Sequence, residues 1–432
     1  MTPSARLAAA IDVLTAIDER HKPARLALKE WGERARYAGS GDRAWVSGLV
    51  LDALRKRRSL AARMGEEAPR VLALAGLHFA WGWSTEDIAA AAAGQPHGPG
   101  ALSVAEAAAL SKDAAPEARP PPVSGDYPDW LEEPFARVFG EARAEEGRAL
   151  ARRAPVDLRV NTLKADREKV LRALEPMGAH TSPWLMNALR IEAPEAHRRA
   201  AAVESHPTFE KGWFEVQDQG SQIAAAAAGQ VAHKQVLDFC AGGGGKTLAL
   251  AAAMGNSGQL YAYDIDQKRL SEAVRRARRA GVRNLQVRPP SGPEPLKGLE
   301  GRMDVVFVDA PCTGTGTWRR HPDAKWRLTP AALERRMAEQ DALLATAPAY
   351  LKPGGRLVYV TCSVLMEENE DRLADLSGLR VVPVLEALTA SELATPEGLD
   401  HLRPHMTSGG QLRLTPARTQ TDGFFVAVLE KA

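Results

Sequence analysis

The sequence predicts a multidomain chain: an all-α amino-terminal domain, a small α+β subdomain and a larger α/β domain of the Rossmann-like type. Three observations support this prediction. Apolar residues recur at helical spacing through the first 112 residues, a proline-rich stretch follows, and a glycine turn later joins a buried strand to a helix. We therefore expect a helical domain at 1–112, a linker at 113–125, an α+β subdomain at 126–222 and the Rossmann-like domain at 223–432.

The helical prediction rests on Leu7, Ile11, Leu14 and Ile17, which share one face of a helix. The stretch from Asp113 to Gly125 is rich in proline and nearly free of large apolar residues, which is typical of an extended linker.

The subdomain is predicted from a strand at 156–163, a helix at 165–177 and a strand at 189–191. Arg159 and Asn161 share one face of the first strand, where they could contact an RNA phosphate or ribose. An exposed strand face without a partner would produce the same alternation.

The glycine turn forms the centre of the predicted ligand site. The run Val236-Leu-Asp-Phe-Cys-Ala-Gly-Gly-Gly-Gly-Lys-Thr-Leu-Ala-Leu250 indicates a strand, a turn and a helix, a combination that binds nucleotides. A P-loop is disfavoured because Cys240 occupies its first glycine position. A second strand ends at Asp264, where an acid can accept the hydroxyl groups of a ribose. That spacing suits S-adenosylmethionine as well as NAD.

Composition narrows the classes of protein. The 432 residues are 45% apolar without an apolar run long enough for a membrane span, and the net charge is only +2. No signal peptide is evident, so we expect a cytoplasmic protein. Three cysteines without a Cys-x-x-Cys pair imply neither a structural metal nor a disulfide. Arg319, Arg320 and His321 could contact phosphates, although a solvated surface gives the same charge pattern.

All three cysteines fall near predicted ligand-binding strand ends. Cys240 follows the first strand of the domain, Cys312 follows the strand that ends at Asp309, and Cys362 follows a later one. Ligands of open parallel sheets bind at the carboxyl ends of the strands, so these thiols are candidates for chemistry rather than for core packing.

Thiols at such a site favour one reaction. Carbon 5 of a pyrimidine becomes nucleophilic enough to accept a methyl group when a thiolate adds to carbon 6. A nearby acid can hydrogen-bond the ring nitrogen, where charge develops. Methylation of an exocyclic amine needs no thiol.

Four segments together resemble the RsmB/Nop/Sun family of RNA cytosine-5 methyltransferases. They are Asp238-Phe-Cys-Ala-Gly-Gly-Gly-Gly-Lys-Thr247, Asp309-Ala-Pro-Cys-Thr-Gly-Thr-Gly316 with Arg319-Arg-His-Pro-Asp-Ala-Lys-Trp326 after it, Thr361-Cys-Ser-Val-Leu-Met-Glu-Glu-Asn-Glu370, and Thr421-Asp-Gly-Phe-Phe-Val-Ala427. The resemblance covers roughly residues 126–432 and implies an α/β Rossmann-like class I methyltransferase domain. The helical stretch 42–55 is similar to the NusB-like domain that precedes some RNA methyltransferases.

The resemblance also implies residue roles. It makes Cys362 the nucleophile, gives Cys312 a part in product release and lets Asp309 contact the cytosine and the cofactor region. S-adenosylmethionine is then held by Asp264 with the loop residues Cys240, Ala241, Gly242, Gly243, Gly244, Gly245 and Lys246. Arg159 and Asn161 fall in the RNA-binding subdomain.

Two departures from the family pattern stand out. Gly243 occupies a position where proline is usual, and the third strand, at 284–291, lacks the aspartate expected near the adenine. We expect the first departure to loosen the loop without removing its backbone contacts. Backbone groups or Ser291 would have to replace the missing aspartate.

The leading interpretation is an S-adenosylmethionine-dependent RNA cytosine-5 methyltransferase, expected to be a monomer, without metal or membrane partners, acting on ribosomal RNA. Transfer RNA is the alternative substrate.

A methyltransferase for exocyclic amines would carry Asn/Asp-Pro-Pro-aromatic, whereas this chain has Asp309-Ala-Pro-Cys312. The non-enzyme alternative is an RNA-binding assembly factor with a relic pocket. The first 112 residues should contribute to RNA binding rather than to chemistry, so a protein starting near Gly125 should bind the cofactor.

Overall fold

The computed structural model describes residues 1–112, 119–194, 201–374 and 376–432. Within them the α-helices are α1 Pro3–Arg20, α2 Ala24–Arg34, α3 Ser40–Arg55, α4 Arg57–Met64, α5 Pro69–Ala75, α6 Thr85–Ala93, α7 Val104–Leu110, α8 Pro121–Ser124, α9 Glu132–Phe139, α10 Arg143–Leu150, α11 Arg167–Leu174, α12 Pro207–Glu210, α13 Gln219–Ala226, α14 Gly245–Ala253, α15 Gln267–Ala280, α16 Ala324–Arg327, α17 Pro330–Thr346, α18 Glu370–Leu373, α19 Val384–Ser391, α20 Pro396–Leu402 and α21 Pro416–Thr419. The strands are β1 Val156–Val160, β2 His180–Thr181, β3 Ala188–Ile191, β4 Phe214–Val216, β5 Gln235–Asp238, β6 Gln259–Tyr263, β7 Leu285–Arg288, β8 Met303–Asp309, β9 Leu351–Thr361, β10 Leu379–Val382, β11 Leu412–Leu414 and β12 Phe424–Lys431.

The chain forms two compact units. One contains Met1–Arg153, residues 193–194 and Trp318–Leu328, and the other contains Ala154–Glu192, Ala201–Thr317 and Thr329–Ala432. The predicted fold class, with a helical amino-terminal region, a small sheet and a Rossmann-like domain, is confirmed. The limits proposed for the individual domains stay predictions.

The first unit is helical because its apolar residues line one face of each helix. Leu7, Leu14 and Ile17 of α1 are buried, while Ile11 is partly buried against the same core. Helix starts are capped in the usual way, for example by Ser103, whose hydroxyl accepts a hydrogen bond from the backbone of Glu106.

The predicted linker is not extended throughout. Pro121–Ser124 form the short helix α8, and Pro122 is buried. Proline is well tolerated in the first turn of a helix because its missing N–H has no partner there, so proline content alone did not imply an extended chain. Residues 113–118 of that prediction lie outside the described residues.

A segment from the carboxyl-terminal half of the sequence completes the helical unit. Lys325 is 1% exposed, and its Nζ donates to the carbonyl oxygens of Arg55 and Asp126 at 2.7 and 2.6 Å. Trp326 Nε1 donates to the carbonyl oxygen of Leu54 at 2.7 Å. Burial lowers the pKa of Lys325 to about 7. The segment 318–328 is therefore part of the core of this unit.

The second unit contains a small antiparallel sheet with the strand order β2-β3-β1-β4. One face packs against α11 through an apolar core that includes Leu158, Val160 and Val170. The opposite face is also covered. Asp157 accepts hydrogen bonds from Arg190 Nε at 2.7 Å and from the backbone N–H of Gln219 at 3.1 Å.

The larger sheet has the strand order β10-β12-β9-β8-β5-β6-β7, with β11 paired to β12. Strands β5 to β9 are parallel, and β12 runs antiparallel to β9. Buried apolar residues cover both faces, as expected for a sheet between two layers of helices. Because β5, β6, β8 and β9 are parallel, the residues that follow them meet at one edge of the sheet.

Candidate active site

The glycine loop between β5 and α14 adopts a conformation that requires glycine at two positions. Gly242 and Gly244 have φ values of +51° and +85°. A Cβ atom on Gly244 would lie 2.8 Å from the Cβ of Ala273, so helix α15 packs directly against the loop. Gly243 does not have a positive φ, and a Cβ there would make only ordinary contacts. Position 243, where proline is usual in the family, is therefore a loop position that does not require glycine.

Asp264 anchors this loop from the end of β6. It is 7% exposed, and its two carboxylate oxygens accept hydrogen bonds from the backbone N–H groups of Gly242 at 2.7 Å and of Asp266 at 2.8 Å. Each carboxylate oxygen can accept a second hydrogen bond. The side chain thus shapes the loop and can still accept from a ligand.

Acidic groups and one lysine meet beside the loop. Lys246 Nζ lies 2.8 Å from Asp309 Oδ2, and the lysine is 8% exposed. Asp238 accepts a hydrogen bond from Thr247 Oγ1 at 2.6 Å. Burial, followed by repulsion from Asp309, raises the pKa of Asp238 to about 7. Within the described residues, Oδ1 of Asp238 is buried without a hydrogen-bond partner.

Two of the three cysteines lie in direct contact. The Sγ atoms of Cys312 and Cys362 are 3.3 Å apart, after β8 and β9 respectively. The hydrogen bond with Cys362, followed by burial, raises the pKa of the Cys312 thiol. Burial also raises the pKa of Cys240, which lies in the glycine loop. The sheet edge thus carries a thiol pair together with the Lys246–Asp309 ion pair.

Two family models match the sequence of this chain. The 16S rRNA methyltransferase RsmB/F model matches residues 227–430, and the ferredoxin-like domain model of the RsmF/B-like methyltransferases matches residues 127–197. A probable ribosomal RNA small subunit methyltransferase B of Synechocystis is 33% identical over 314 residues, which cover 71% of this chain and 67% of the relative. The chain belongs to the RsmB/F methyltransferase family.

Other relatives agree with this assignment. The ribosomal RNA small subunit methyltransferase B of Klebsiella pneumoniae is 34% identical over 309 residues, which cover 71% of this chain and 66% of that protein. The crystal structure of a methyltransferase homologue from Pyrococcus horikoshii superposes with a TM-score of 0.57 at 27% identity, covering 72% of this chain and 98% of the other. The chain therefore spans about two thirds of the length of the curated relatives and nearly all of that crystallised protein.

RsmB/F enzymes depend on S-adenosylmethionine, and the residues present fit this cofactor. The unpaired Oδ1 of Asp238 suits an ammonium donor, and the remaining lone pairs of Asp264 suit ribose hydroxyl groups. We therefore keep Asp264, Asp309 and the loop residues from Cys240 to Lys246 as the proposed cofactor site and add Asp238 to it.

The structure of the small sheet corrects two residue predictions. Asn161 is 2% exposed, and its Nδ2 donates to the carbonyl oxygens of Gly212 and Ala280, each at 2.8 Å. Arg159 is 7% exposed, and its Nε donates to Gln217 Oε1 at 2.7 Å. Neither side chain is presented to RNA on an exposed strand face. The alternation along β1 reflects a buried polar layer beneath the small sheet.

Arg159 nevertheless borders a cavity of about 160 Å³. Other lining residues include Asn187 of the small sheet, Gln222 of α13 and Ala249 of α14. Burial lowers the pKa of Arg159 to about 10. An arginine in that setting contributes mainly to packing and hydrogen bonding within the unit.

Of the three phosphate contacts predicted after Cys312, the structure contradicts one and leaves two as predictions. Arg319 is 5% exposed, and its carbonyl oxygen accepts a hydrogen bond from Arg55 Nη2 at 2.8 Å, so its prediction as a surface RNA contact is wrong. Arg320 is half-buried and His321 is exposed, and their contact with RNA stays a prediction.

Sequence reasoning assigned no role to Glu368, Asn369 or Gln340, all fully buried near the thiols. Glu368 and Asn369 lie in the Met-Glu-Glu-Asn-Glu run directly after Cys362, and that proximity was the available signal. Among the described residues there is no group of three or more His, Cys, Asp or Glu side chains that could hold a metal ion. The described helices include none that is long and apolar enough to cross a membrane.

Proposed function

We propose that this enzyme transfers a methyl group from S-adenosylmethionine to carbon 5 of a cytosine in ribosomal RNA, through a covalent adduct between Cys362 and carbon 6. One observation carries the proposal: two thiols that follow the adjacent parallel strands β8 and β9 lie 3.3 Å apart at the ligand edge of a methyltransferase sheet. Transfer to an exocyclic amine would have no use for a thiol pair.

The thiol pair suits a division of roles. The Cys312 and Cys362 sulfur atoms are in hydrogen-bond contact, and the raised pKa of the Cys312 thiol favours keeping its proton on Cys312. Cys312 can then donate a hydrogen bond to the Cys362 sulfur, 3.3 Å away, while that sulfur attacks carbon 6. This favours Cys362 as the nucleophile that forms the sulfur–carbon 6 bond.

The same coupling supports a role for Cys312 in release. Once the Cys362 sulfur is bound to carbon 6, it is a neutral thioether and no longer raises the pKa of Cys312. Cys312 can then lose its proton to water and accept the proton from carbon 5. The electrons of that C–H bond restore the carbon 5–carbon 6 double bond, and the sulfur of Cys362 leaves as a thiolate.

Asp309 is proposed to contact the ring where charge develops during addition. Its ion pair with Lys246 fixes its position at the end of β8. S-adenosylmethionine supplies an electrophilic methyl group. The chain's part is to hold the cofactor beside the cytosine and to place both thiols at the ring.

The substrate part of the proposal rests on the relatives, whose names specify ribosomal RNA of the small subunit. Cytoplasmic location follows from that substrate in a bacterium, and a monomer is proposed. Arg320 and His321 are proposed to contact RNA. No described feature favours transfer RNA.

Bisulfite sequencing of RNA from cells with and without the gene tests the proposal. We expect one cytosine of the small-subunit ribosomal RNA to lose its protection in the deletion strain, and complementation to restore it. Loss of protection in transfer RNA alone would contradict the substrate. Unchanged protection in every RNA would contradict cytosine-5 methylation.

A further inference from the structure

Two consecutive buried residues, Glu368 and Asn369, reach the two loops that carry the active-site thiols. Both are 0% exposed. They follow Cys362 by six and seven positions, with Glu368 at the end of the 3₁₀ turn Met366–Glu368 and Asn369 directly after it. The backbone of this turn is itself fixed, because Tyr359 Oη donates to the carbonyl oxygen of Glu368 at 2.7 Å.

Glu368 holds the loop of Cys312. One carboxylate oxygen accepts a hydrogen bond from the backbone N–H of Thr313 at 2.8 Å, and the other accepts from the hydroxyl group of Thr313. Gln340 joins this contact: its Nε2 donates to Glu368 Oε1 at 3.1 Å and to the carbonyl oxygen of Pro311 at 2.9 Å. The residues before and after Cys312 are thus tied to one carboxylate and one amide.

Asn369 holds the loop of Cys362 in the same manner. Its Oδ1 accepts a hydrogen bond from Thr361 Oγ1 at 2.6 Å, and its Nδ2 donates to the carbonyl oxygen of Ser363 at 3.0 Å. These two partners flank Cys362 directly. A direct bond also joins the loops, since the backbone N–H of Gly316 donates to the carbonyl oxygen of Cys362 at 2.9 Å.

We propose that Glu368 and Asn369 are positioning residues that hold the two thiol loops against each other, and that Glu368 thereby controls how fast the RNA adduct is released. The proposal rests on the proposed function. Glu368 acts through Thr313 on Cys312, whose role is release, whereas Asn369 acts on Cys362, whose role is attack. The two neighbours should therefore affect opposite halves of the reaction.

The first test separates those halves. With RNA and S-adenosylmethionine, Glu368→Ala and Thr313→Val should form the adduct at about the wild-type rate and release it about tenfold more slowly or worse. Their kcat and their KM should fall together, because a slower step after adduct formation leaves kcat/KM nearly unchanged. Asn369→Ala should instead form the adduct about tenfold more slowly and accumulate none.

Matched variants distinguish positioning from general damage. Glu368→Gln keeps a carbonyl acceptor for Thr313, so release should recover to within about threefold of wild type. Asp341→Ala removes an exposed carboxylate on α17, the helix that carries Gln340, and should change neither rate. If Glu368→Ala does not fold, Thr313→Val and Glu368→Gln carry the comparison.

A second test needs neither RNA nor methyl transfer. Phenylarsine oxide condenses with two adjacent thiols with loss of water, and excess monothiol reverses its binding to single thiols. The wild-type protein should hold one equivalent against excess 2-mercaptoethanol, and Glu368→Ala should lose it at least tenfold faster. This arm separates failure of the positioning proposal from failure of the proposed function.

Several results would overturn the proposal. One is a folded Glu368→Ala variant that releases the adduct and retains phenylarsine oxide as the wild-type protein does. Another is an equal slowing of attack and of release in both Glu368→Ala and Asn369→Ala. A folded glutamine variant as impaired as the alanine variant would exclude positioning through hydrogen bonds. If Cys312→Ala, like the wild-type protein, forms no RNA adduct yet the phenylarsine oxide test behaves as expected, the covalent cytosine-5 proposal fails, and only the positioning of the thiols by Glu368 stands.

Discussion

Cys312 Sγ and Cys362 Sγ lie 3.3 Å apart although the two residues are 50 positions apart in the chain. The contact exists because β8 and β9 are adjacent parallel strands that end at the same edge. At that separation the hydrogen bond with Cys362, followed by burial, raises the pKa of the Cys312 thiol.

Replacement of Asp264 by alanine should weaken the binding of S-adenosylmethionine. The change removes a ribose acceptor and also releases the backbone N–H groups of Gly242 and Asp266, so we expect a loss of about 1–3 kcal/mol or more. Isothermal calorimetry measures it. Asp264→Asn keeps one carbonyl acceptor, so its affinity for S-adenosylmethionine should lie between those of wild type and Asp264→Ala. An affinity of Asp264→Ala within twofold of wild type would contradict the assignment.

The cofactor loop should respond oppositely to two neighbouring substitutions. Gly243→Ala removes backbone freedom at a position without a positive φ and should stabilise the protein by about 0.4–1 kcal/mol. Gly244→Ala introduces a Cβ at φ +85° and 2.8 Å from Ala273 Cβ, and should destabilise it by about 1–3 kcal/mol. Denaturant unfolding compares the two. Equal effects would mean that the loop conformation is different.

Asp238 should make stability depend on pH. Its pKa is raised to about 7 in the folded protein, so the folded state binds this proton more tightly than the unfolded state. Stability from this group is full below the unfolded pKa, near 3.8, and is lost as pH rises towards 7. Asp238→Asn abolishes that loss and still offers Thr247 an acceptor.

The melting temperature of Asp238→Asn, compared with wild type from pH 4 to pH 9, tests this prediction. As pH rises to 7, the free energy of unfolding of the variant should increase relative to that of wild type by at most about 1.4 kcal/mol per pH unit, and the melting temperature should follow. Above pH 7 the difference should level off. A difference that does not change with pH would show that Asp238 is ionised throughout.

Truncation of the amino terminus should destabilise the protein. The sequence led us to expect a protein starting near Gly125 to bind cofactor normally, but Lys325 and Trp326 bond to Arg55, Leu54 and Asp126. Without residues 1–112 a buried ammonium group and an indole lose acceptors, which costs about 1–3 kcal/mol each. Expression and thermal unfolding of the truncated protein measure this, and a melting temperature equal to that of the full chain would contradict it.

The features predicted from sequence are those fixed by local chemistry or by topology. The glycine run before Lys246 indicated the cofactor loop, because close backbone contacts need glycine. The positions of Asp264, Cys312 and Cys362 after strands placed them together, because parallel strands end at one edge of the sheet.

The features that were missed depend on tertiary packing. The alternation around Arg159 and Asn161 is the same whether water or a buried polar layer covers the strand. Nothing in the residues around Lys325 indicates that the segment 318–328 packs with helices from the other end of the chain. The hydrogen bonds of Glu368 depend on where the chain turns after Cys362.

The most direct test of the central claim is a denaturing gel that compares two cysteine variants with labelled RNA and S-adenosylmethionine. Cys362→Ala should form no adduct and no 5-methylcytosine, because the ring is not activated. Cys312→Ala should attack, fail to release the product and accumulate an adduct that survives denaturation. Both should bind the cofactor nearly as wild type does. An adduct from Cys362→Ala but none from Cys312→Ala would reverse the roles, and full activity in both would contradict the covalent mechanism.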